Sequence, residues 1–257
     1  MQTVKKIYVS LIFLFLYAPI GTLIVLSFNA SKTRSKWGGF TMQWYASLLQ
    51  DEVILDALTT TLLIAFLSAL IASVIGTIAA VAMNGMKRRT RTLIIGVTNI
   101  PMLNADIVTG ISLMLLFISI GLRFGFGTIL LSHITFNIPY VILCIMPRMK
   151  QLNPSVYEAA LDLGASHITA FFKVMLPDLM PGILSGFLMA FTMSLDDFII
   201  THFTKGAGID TLSTKIYTEV KKGIKPEMYA LSTIIFVTVL ILLFLVNKTP
   251  DKKEKTN

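Results

Sequence analysis

Three aspartates, Asp106, Asp196 and Asp197, sit inside apolar stretches where carboxylates are rare. An aspartate at the centre of a membrane-spanning helix costs roughly 2.5–3.5 kcal/mol, so each calls for a compensating partner or a task. Two kinds of chemistry suit them. Hydrogen-bonded or protonated, they serve packing alone, and Asn104, Thr109 and Ser112 stand near Asp106 in sequence for that purpose. Ionised in a water-filled passage, they attract an organic cation and replace part of its lost hydration. Phe198, Phe203 and Tyr217 are available for cation–π contacts along such a route. Adjacent helical residues diverge by about 100°. Asp196 and Asp197 therefore do not both face one cavity, and Asp197 is placed to meet a neighbouring helix.

A second constellation lies in a polar stretch: Asn153-Pro154-Ser155-Val156-Tyr157-Glu158-Ala159-Ala160-Leu161-Asp162-Leu163-Gly164. Asn153 followed by Pro154 reads as an N-cap and first turn. Gly164 reads as the C-terminal stop, because glycine accepts a left-handed conformation without a Cβ penalty. A short helix over 154–163 follows, with Glu158 and Asp162 one turn apart. A second helical run, 167–176, is expected to end at Pro177. Two short helices bent at a glycine make a compact knob. Ala159 and Ala160 let a partner backbone come close, and Glu158 offers an anionic handle. The same pattern also fits an ordinary amphipathic interfacial helix.

Other chemistry is absent from the sequence. His133, His167 and His202 lack the spacing of a metal site. No G-x-x-x-x-G-K-[ST], G-x-S-x-G or H-E-x-x-H run occurs. Cys144 is alone, so no internal disulfide forms. An intramembrane aspartyl protease using Asp106 and Asp196 would account for two carboxylates at one depth, but neither lies in a Gly-x-Gly-Asp setting.

The elements that position these residues are membrane spans. Of 257 residues, 54% are hydrophobic and 14% charged, a balance that suits a lipid-facing chain and not a soluble domain. The net charge of +8 is spread in short clusters between apolar runs, which argues against nucleic-acid binding. Six stretches reach the ~20 residues a bilayer crossing needs, at approximately 7–28, 57–83, 93–120, 127–147, 182–203 and 228–246. At about 1.5 Å per residue, Asp106 and Asp196 fall roughly 20 and 21 Å from the starts of the third and fifth spans. The first run is too long for a signal-peptide core and has no small-x-small cleavage site, so it reads as an uncleaved span. The cluster Lys87-Arg88-Arg89-Thr90-Arg91 places that loop, and with it both termini, in the cytoplasm.

The chain thus reads as one all-α transmembrane domain over 1–257, with a cytoplasmic segment at 148–181. A lysine-rich tail at 247–257 is expected to lie near anionic lipid headgroups. Outside, segment 29–56 carries Trp37, Trp44 and Tyr45, expected at the membrane interface.

Glu158-Ala159-Ala160, three residues, Gly164, nine residues, then Val174-Met175-Leu176-Pro177 is similar to the EAA motif of ABC importer permeases, with Val174 where that family has Ile. The resemblance implies a type I permease fold, a bacterial inner-membrane location, and a coupling role for Glu158, Ala159, Ala160, Gly164, Leu176 and Pro177. It also implies a passive subunit that binds no cofactor, with ATP used by a partner ATPase dimer. A second homologous permease and an extracytoplasmic binding protein complete the implied assembly.

Ser194-Leu195-Asp196-Asp197-Phe198, then Leu212, Lys215-Ile216-Tyr217, Gly223, Pro226-Glu227 and Ala230-Leu231, resembles spermidine/putrescine permeases of the PotC type. So does Asn104-Ala105-Asp106-Ile107-Val108 with Gly110-Ile111-Ser112-Leu113. Polyamine cargo passing Asp106, Asp196, Asp197 and Tyr217 is the resulting expectation. The same machine carrying iron, an oxyanion or another small solute is the alternative.

Overall fold

Apolar runs, interrupted where proline or a polar side chain intervenes, set the architecture. The computed structural model describes residues 2–32, 36–223 and 225–248. Among these the chain is helical, with no strand beyond a bridge between Asn29 and Phe40. In order, the helices are α1 (Gln2–Ser27), α2 (Gln43–Gln50), α3 (Glu52–Asn84), α4 (Arg88–Leu103), α5 (Asp106–Ser119) and α6 (Phe126–Gln151). They continue as α7 (Pro154–Asp162), α8 (His167–Ala170), α9 (Leu176–Asp196), α10 (Ile199–Thr204), α11 (Leu212–Lys222) and α12 (Pro226–Lys248). A π-turn, Phe171–Met175, joins α8 to α9.

Among the described residues, four helical stretches are long and apolar enough to cross a membrane: Lys5–Ser27, Glu52–Asn84, Phe126–Gln151 and His167–Asp196. The pair α4 and α5 makes a fifth when counted as one broken span. The tail expected at 247–257 lies outside the described residues from 249 onward.

Two expectations about continuity are corrected. The third span, 93–120, is not one helix, because α4 and α5 meet at an angle of 103°. Pro101 removes an amide donor from the last turn of α4, and Asn104 and Ala105 then take extended conformations, with ψ of 152° and 138°. Conversely, the helical run from His167 does not end at Pro177. It continues to Asp196, because the π-turn widens the backbone just before the proline, with Leu176 N–H donating to Phe171 O. A ring that would collide with the carbonyl four residues back is accommodated by that wider turn. The fifth span therefore starts well before Gly182, and it stops short of Phe203, at Asp196.

Two compact units divide the chain, Asp56–Thr214 and the pair Met1–Leu55 with Lys215–Asn257. In the first, α6 is the centre. Glycines on its neighbours permit close approach: a Cβ on Gly76 of α3 would lie 2.7 Å from Val141 Cγ1, and one on Gly186 of α9 would lie 3.2 Å from Val141 Cα. Without a hydrophobic drive between helices in lipid, such small-residue contacts supply the packing. Ala69, Ala72, Ile142, Ile145, Leu179 and Ala190 fill the surrounding core.

In the second unit, α1 and α2 both pack against α12, while Phe13, Phe15 and Leu16 of α1 stay exposed, as a lipid-facing helix requires. Trp44 turns into the protein. It is 5% exposed, and its Nε1 donates to Asn29 O at 2.8 Å. Tyr45 is held likewise, through a 2.7 Å hydrogen bond between its hydroxyl and Ser27 Oγ. An indole with an internal acceptor gains by burial; Trp37 remains exposed.

Candidate functional site

The aspartate pair marks the point where α9 ends. Asp197 has extended backbone angles, φ −64° and ψ 126°, so Asp196 closes one helix while Asp197 opens the approach to α10. Their environments differ completely. Asp196 is exposed. The side chain of Asp197 is 8% exposed and fully engaged: its Oδ2 accepts from Thr201 N–H and Thr201 Oγ1, both at 2.8 Å, and its Oδ1 accepts from Ile200 N–H at 3.3 Å. His133 Nε2 of α6 lies 3.4 Å from the same Oδ2. As expected, Asp197 meets a neighbouring helix, but through a backbone break and not through the twist of a continuous helix.

His133 was not expected to matter, since its spacing to other histidines is wrong for a metal. It is 1% exposed, and its ring joins Ser194 Oγ at 2.5 Å on one side and Thr201 Oγ1 at 2.9 Å on the other. Ser68 Oγ donates to Ser194 Oγ at 3.1 Å, and Asn137 Nδ2 donates to Ser68 Oγ at 3.3 Å. The signal was present in α6 as Ser132, His133 and Asn137 within an otherwise apolar run. Ser194, His133 and Asp197 have the composition of a hydrolytic triad, but Ser194 and His133 are buried among helices and Ser194 Oγ is already bonded. No acyl group can reach it.

Asp106 is the first residue of α5 and is exposed. Counting its depth along a straight helix fails because of the bend before it. Both unengaged carboxylates therefore sit at helix breaks: Asp106 at an N-terminus, Asp196 at a C-terminus. The negative end of the α9 dipole adds to the charge of Asp196 and favours a cation there. Broken helices at membrane depth persist only where they are buried in protein or line a watery cavity. The two nearby phenylalanines serve packing: Phe198 stacks on His202 at 5.3 Å, and Phe203 lies 3.0 Å from where a Gly110 Cβ would be.

Tyr217 belongs to the other unit, on α11. It is 38% exposed, with Lys221 Nζ 4.6 Å from its ring centre, so a protein cation already occupies one face. The same unit holds a cavity of about 130 Å³ bordered by Asp51, Lys215, Glu219, Lys225 and Glu227. Glu219 is buried, which on its own raises a carboxyl pKa. The Lys215 and Lys225 ammonium groups, each 3.3 Å away, outweigh that and hold it below the usual range.

The knob forms as the sequence implies. Asn153 Oδ1 accepts from Ser155 N–H at 3.1 Å, and Pro154 opens α7. At the other end Gly164 takes φ +86°, its N–H donates to Leu161 O at 2.9 Å, and Ala165 N–H donates to Ala160 O at 3.0 Å. This pair of bonds is the Schellman arrangement. Ser166 caps α8 through Thr169 N–H at 3.2 Å, and the hydroxyl of Tyr157 meets His167 Nδ1 at 3.3 Å, tying the two short helices together. Glu158 and Ala159 are exposed and Ala160 is half-buried. Leu163 is 89% and Ile168 72% exposed. Apolar side chains so displayed suit either a protein partner or the lipid interface. Leu176 and Pro177 lie farther along, half-buried and exposed respectively, where the π-turn passes into α9.

A multi-pass membrane chain with carboxylates at broken helices and a protruding knob has the parts of a transport subunit. The chain belongs to the family of binding-protein-dependent transport system inner membrane components, which its residues 72–253 match. It is 38% identical over 250 residues to the spermidine/putrescine transport system permease protein PotC of Escherichia coli (strain K12), covering 97% of this chain and 95% of that one. It is 40% identical to the putrescine transport system permease protein PotI of the same strain, covering 95% and 89%.

Among solved structures, a bacterial ABC transporter involved in the import of the acidic polysaccharide alginate superposes with a TM-score of 0.77 at 15% identity, covering 96% of this chain and 95% of that chain. The alginate transporter in complex with an alginate pentasaccharide-bound periplasmic protein gives 0.74 at 18%, covering 100% and 96%. These likenesses establish an importer-permease fold and leave the cargo to the residues of this chain.

Proposed function

We infer that this chain is the translocation subunit of an ATP-driven importer of polyamines such as spermidine and putrescine. In this reading it crosses the membrane six times, with α4 and α5 forming one broken span and α12, a helix of 23 residues, forming the last; both termini are cytoplasmic. The observation that carries the reading is the pair of exposed carboxylates at helix breaks, Asp106 inside a broken apolar span and Asp196 at the end of another. A carboxylate at membrane depth does not face lipid. Each must look into a passage completed by another chain, here a second, homologous permease. The near full-length similarity to polyamine permeases supports the charge of the cargo.

ATP hydrolysis belongs to a separate dimer of ATPase subunits that receives the knob, with Glu158, Ala159, Ala160 and Gly164 setting its shape. An extracytoplasmic binding protein delivers cargo to the outer side. No reaction occurs on this chain. It offers a route whose access alternates as the knob is moved.

The test is ATP-dependent uptake of labelled spermidine by vesicles holding the complete assembly, with unlabelled putrescine and molybdate as competitors and Asp196→Asn alongside. Putrescine inhibits, molybdate does not, and Asp196→Asn needs a much higher spermidine concentration for the same uptake while assembly and ATP hydrolysis persist. An assembled, ATP-hydrolysing complex with its binding protein that takes up no spermidine refutes the polyamine assignment.

A further inference from the structure

The buried polar chain beside Asp196 ends on a carboxylate, the strongest acceptor present. Thr201 Oγ1 donates to Asp197, so it accepts its bond from His133 Nε2. On the other side of the ring, Nδ1 meets Ser194 Oγ. Ser68 Oγ lies within reach of both Ser194 Oγ and the Ala65 carbonyl, and Asn137 Nδ2 donates to Ser68 Oγ. Only Asn137 Oδ1, at the far end, has no hydrogen-bond partner.

The geometry of this series is more informative than its satisfaction. Ser194 lies in the last turn of α9, Thr201 lies in α10, and the break falls between them. One imidazole on a third helix thus grips both sides of the break, while the Asp197 carboxylate caps the start of α10 through Ile200 and Thr201 N–H. Without these bonds nothing local forbids a continuous helix through 194–201, since the stretch contains neither glycine nor proline. A continuous helix would swing Asp196 round with it.

We propose that His133 and Thr201 are positioning residues: through Asp197 and Ser194 they hold the helix break open, and so aim the exposed Asp196 carboxylate at the passing cation. The proposal rests on the reading of Asp196 as a cargo contact. It assigns the buried aspartate of the pair to architecture and the exposed one to recognition.

The experiment measures KM and Vmax for spermidine uptake by the full reconstituted transporter carrying Asp196→Asn, His133→Phe, Thr201→Val, Thr201→Ser, and the doubles of Asp196→Asn with each of the first two positioning variants. His133→Phe and Thr201→Val are expected to raise KM about tenfold, a change of ~1.4 kcal/mol, with ATP hydrolysis retained. Thr201→Ser, which keeps the hydroxyl, restores the KM. Each double variant is expected to match Asp196→Asn alone, because the aim of a missing carboxylate no longer matters.

Multiplicative losses in the doubles, or a fall in Vmax and assembly at unchanged KM, overturn the proposal while leaving Asp196 as a cargo contact. An unchanged KM in Asp196→Asn itself removes the underlying reading and this inference together. If His133→Phe does not assemble, the Thr201 pair, Val against Ser, decides.

Discussion

Replacing Gly164 isolates a single backbone angle from every packing effect. The glycine has φ +86°, and a Cβ built on it meets nothing within 4 Å, so no side-chain clash confuses the result. Two routes are open to Gly164→Ala. The alanine can keep the left-handed conformation at a cost of roughly 1–2 kcal/mol. Alternatively the turn can open and give up the bonds from Gly164 N–H and Ala165 N–H, each with a net worth of about 0.5–1.5 kcal/mol. The first route costs about 1–2 kcal/mol and the second about 1–3 kcal/mol, so the alanine keeping the native angle between α7 and α8 loses roughly 5–30-fold in population relative to its competitors.

Asparagine tolerates positive φ better than alanine, and valine tolerates it worst. On the proposed coupling role, cargo moved per ATP hydrolysed should rank Gly, then Asn, then Ala, then Val, while the melting temperature of the assembled complex stays put. Side-by-side uptake and ATPase assays on the reconstituted transporter read that ratio. Equal ratios for Asn and Val, or a loss explained wholly by failed assembly, would show that the left-handed turn is not what transmits motion.

Two further outcomes follow from packing and charge. Gly186→Val drives a branched side chain against Val141, where even a Cβ would stand 3.2 Å from Cα; overpacking of this kind costs about 1–3 kcal/mol and should lower the melting temperature, with Val141→Ala recovering part of the loss. Glu219 has a folded-state pKa below its ordinary value, so its stabilisation is complete above the usual glutamate range near ~4.3 and disappears as pH falls through the lowered value. Melting of the wild type and Glu219→Gln should therefore differ at pH 7 and converge in acid; a constant gap across that window would contradict the assignment.

Two long helices, α3 and α6, were legible from run length alone and fall within a few residues of their expected bounds. The knob was legible for another reason: Asn153, Pro154 and Gly164 are local signals, each acting within its own turn. What escaped was nonlocal. The break at Asp197 depends on His133, more than sixty residues earlier, and no window of sequence around Ser194 contains it. Pro177 misled because the usual expectation of a stop ignores the π-turn that can absorb the ring, and only the backbone shows it. The burial of Trp44 was not legible either, since its acceptor is a main-chain carbonyl, Asn29 O, which sequence never displays as a partner.

Asp196 and Asp197 also bear on how far fold can be pressed toward cargo. The alginate transporters share this fold and carry a polyanion, so the arrangement of helices fixes no sign of charge. The sign is set where helices break, because only there does the backbone expose polar ends and admit an unpaired side chain. In this chain the break after α9 presents a helix C-terminus and the exposed carboxylate of Asp196, and the break before α5 presents Asp106. Asp106 also offsets the positive end of its own helix, which would otherwise repel a cation. Both breaks are thus negative, one by addition and one by cancellation. On the proposed reading, charge reversal at either position should abolish spermidine uptake: Asp196→Lys sets a cation where both helix end and side chain favoured one, and Asp106→Lys adds its charge to an already positive terminus. Neutralisation separates the two positions, since Asp106→Asn should impair uptake more than a lost charge alone predicts, because it uncovers the helix end as well. An Asp106→Asn variant milder than Asp196→Asn would place the dipole of α5 out of reach of the cargo.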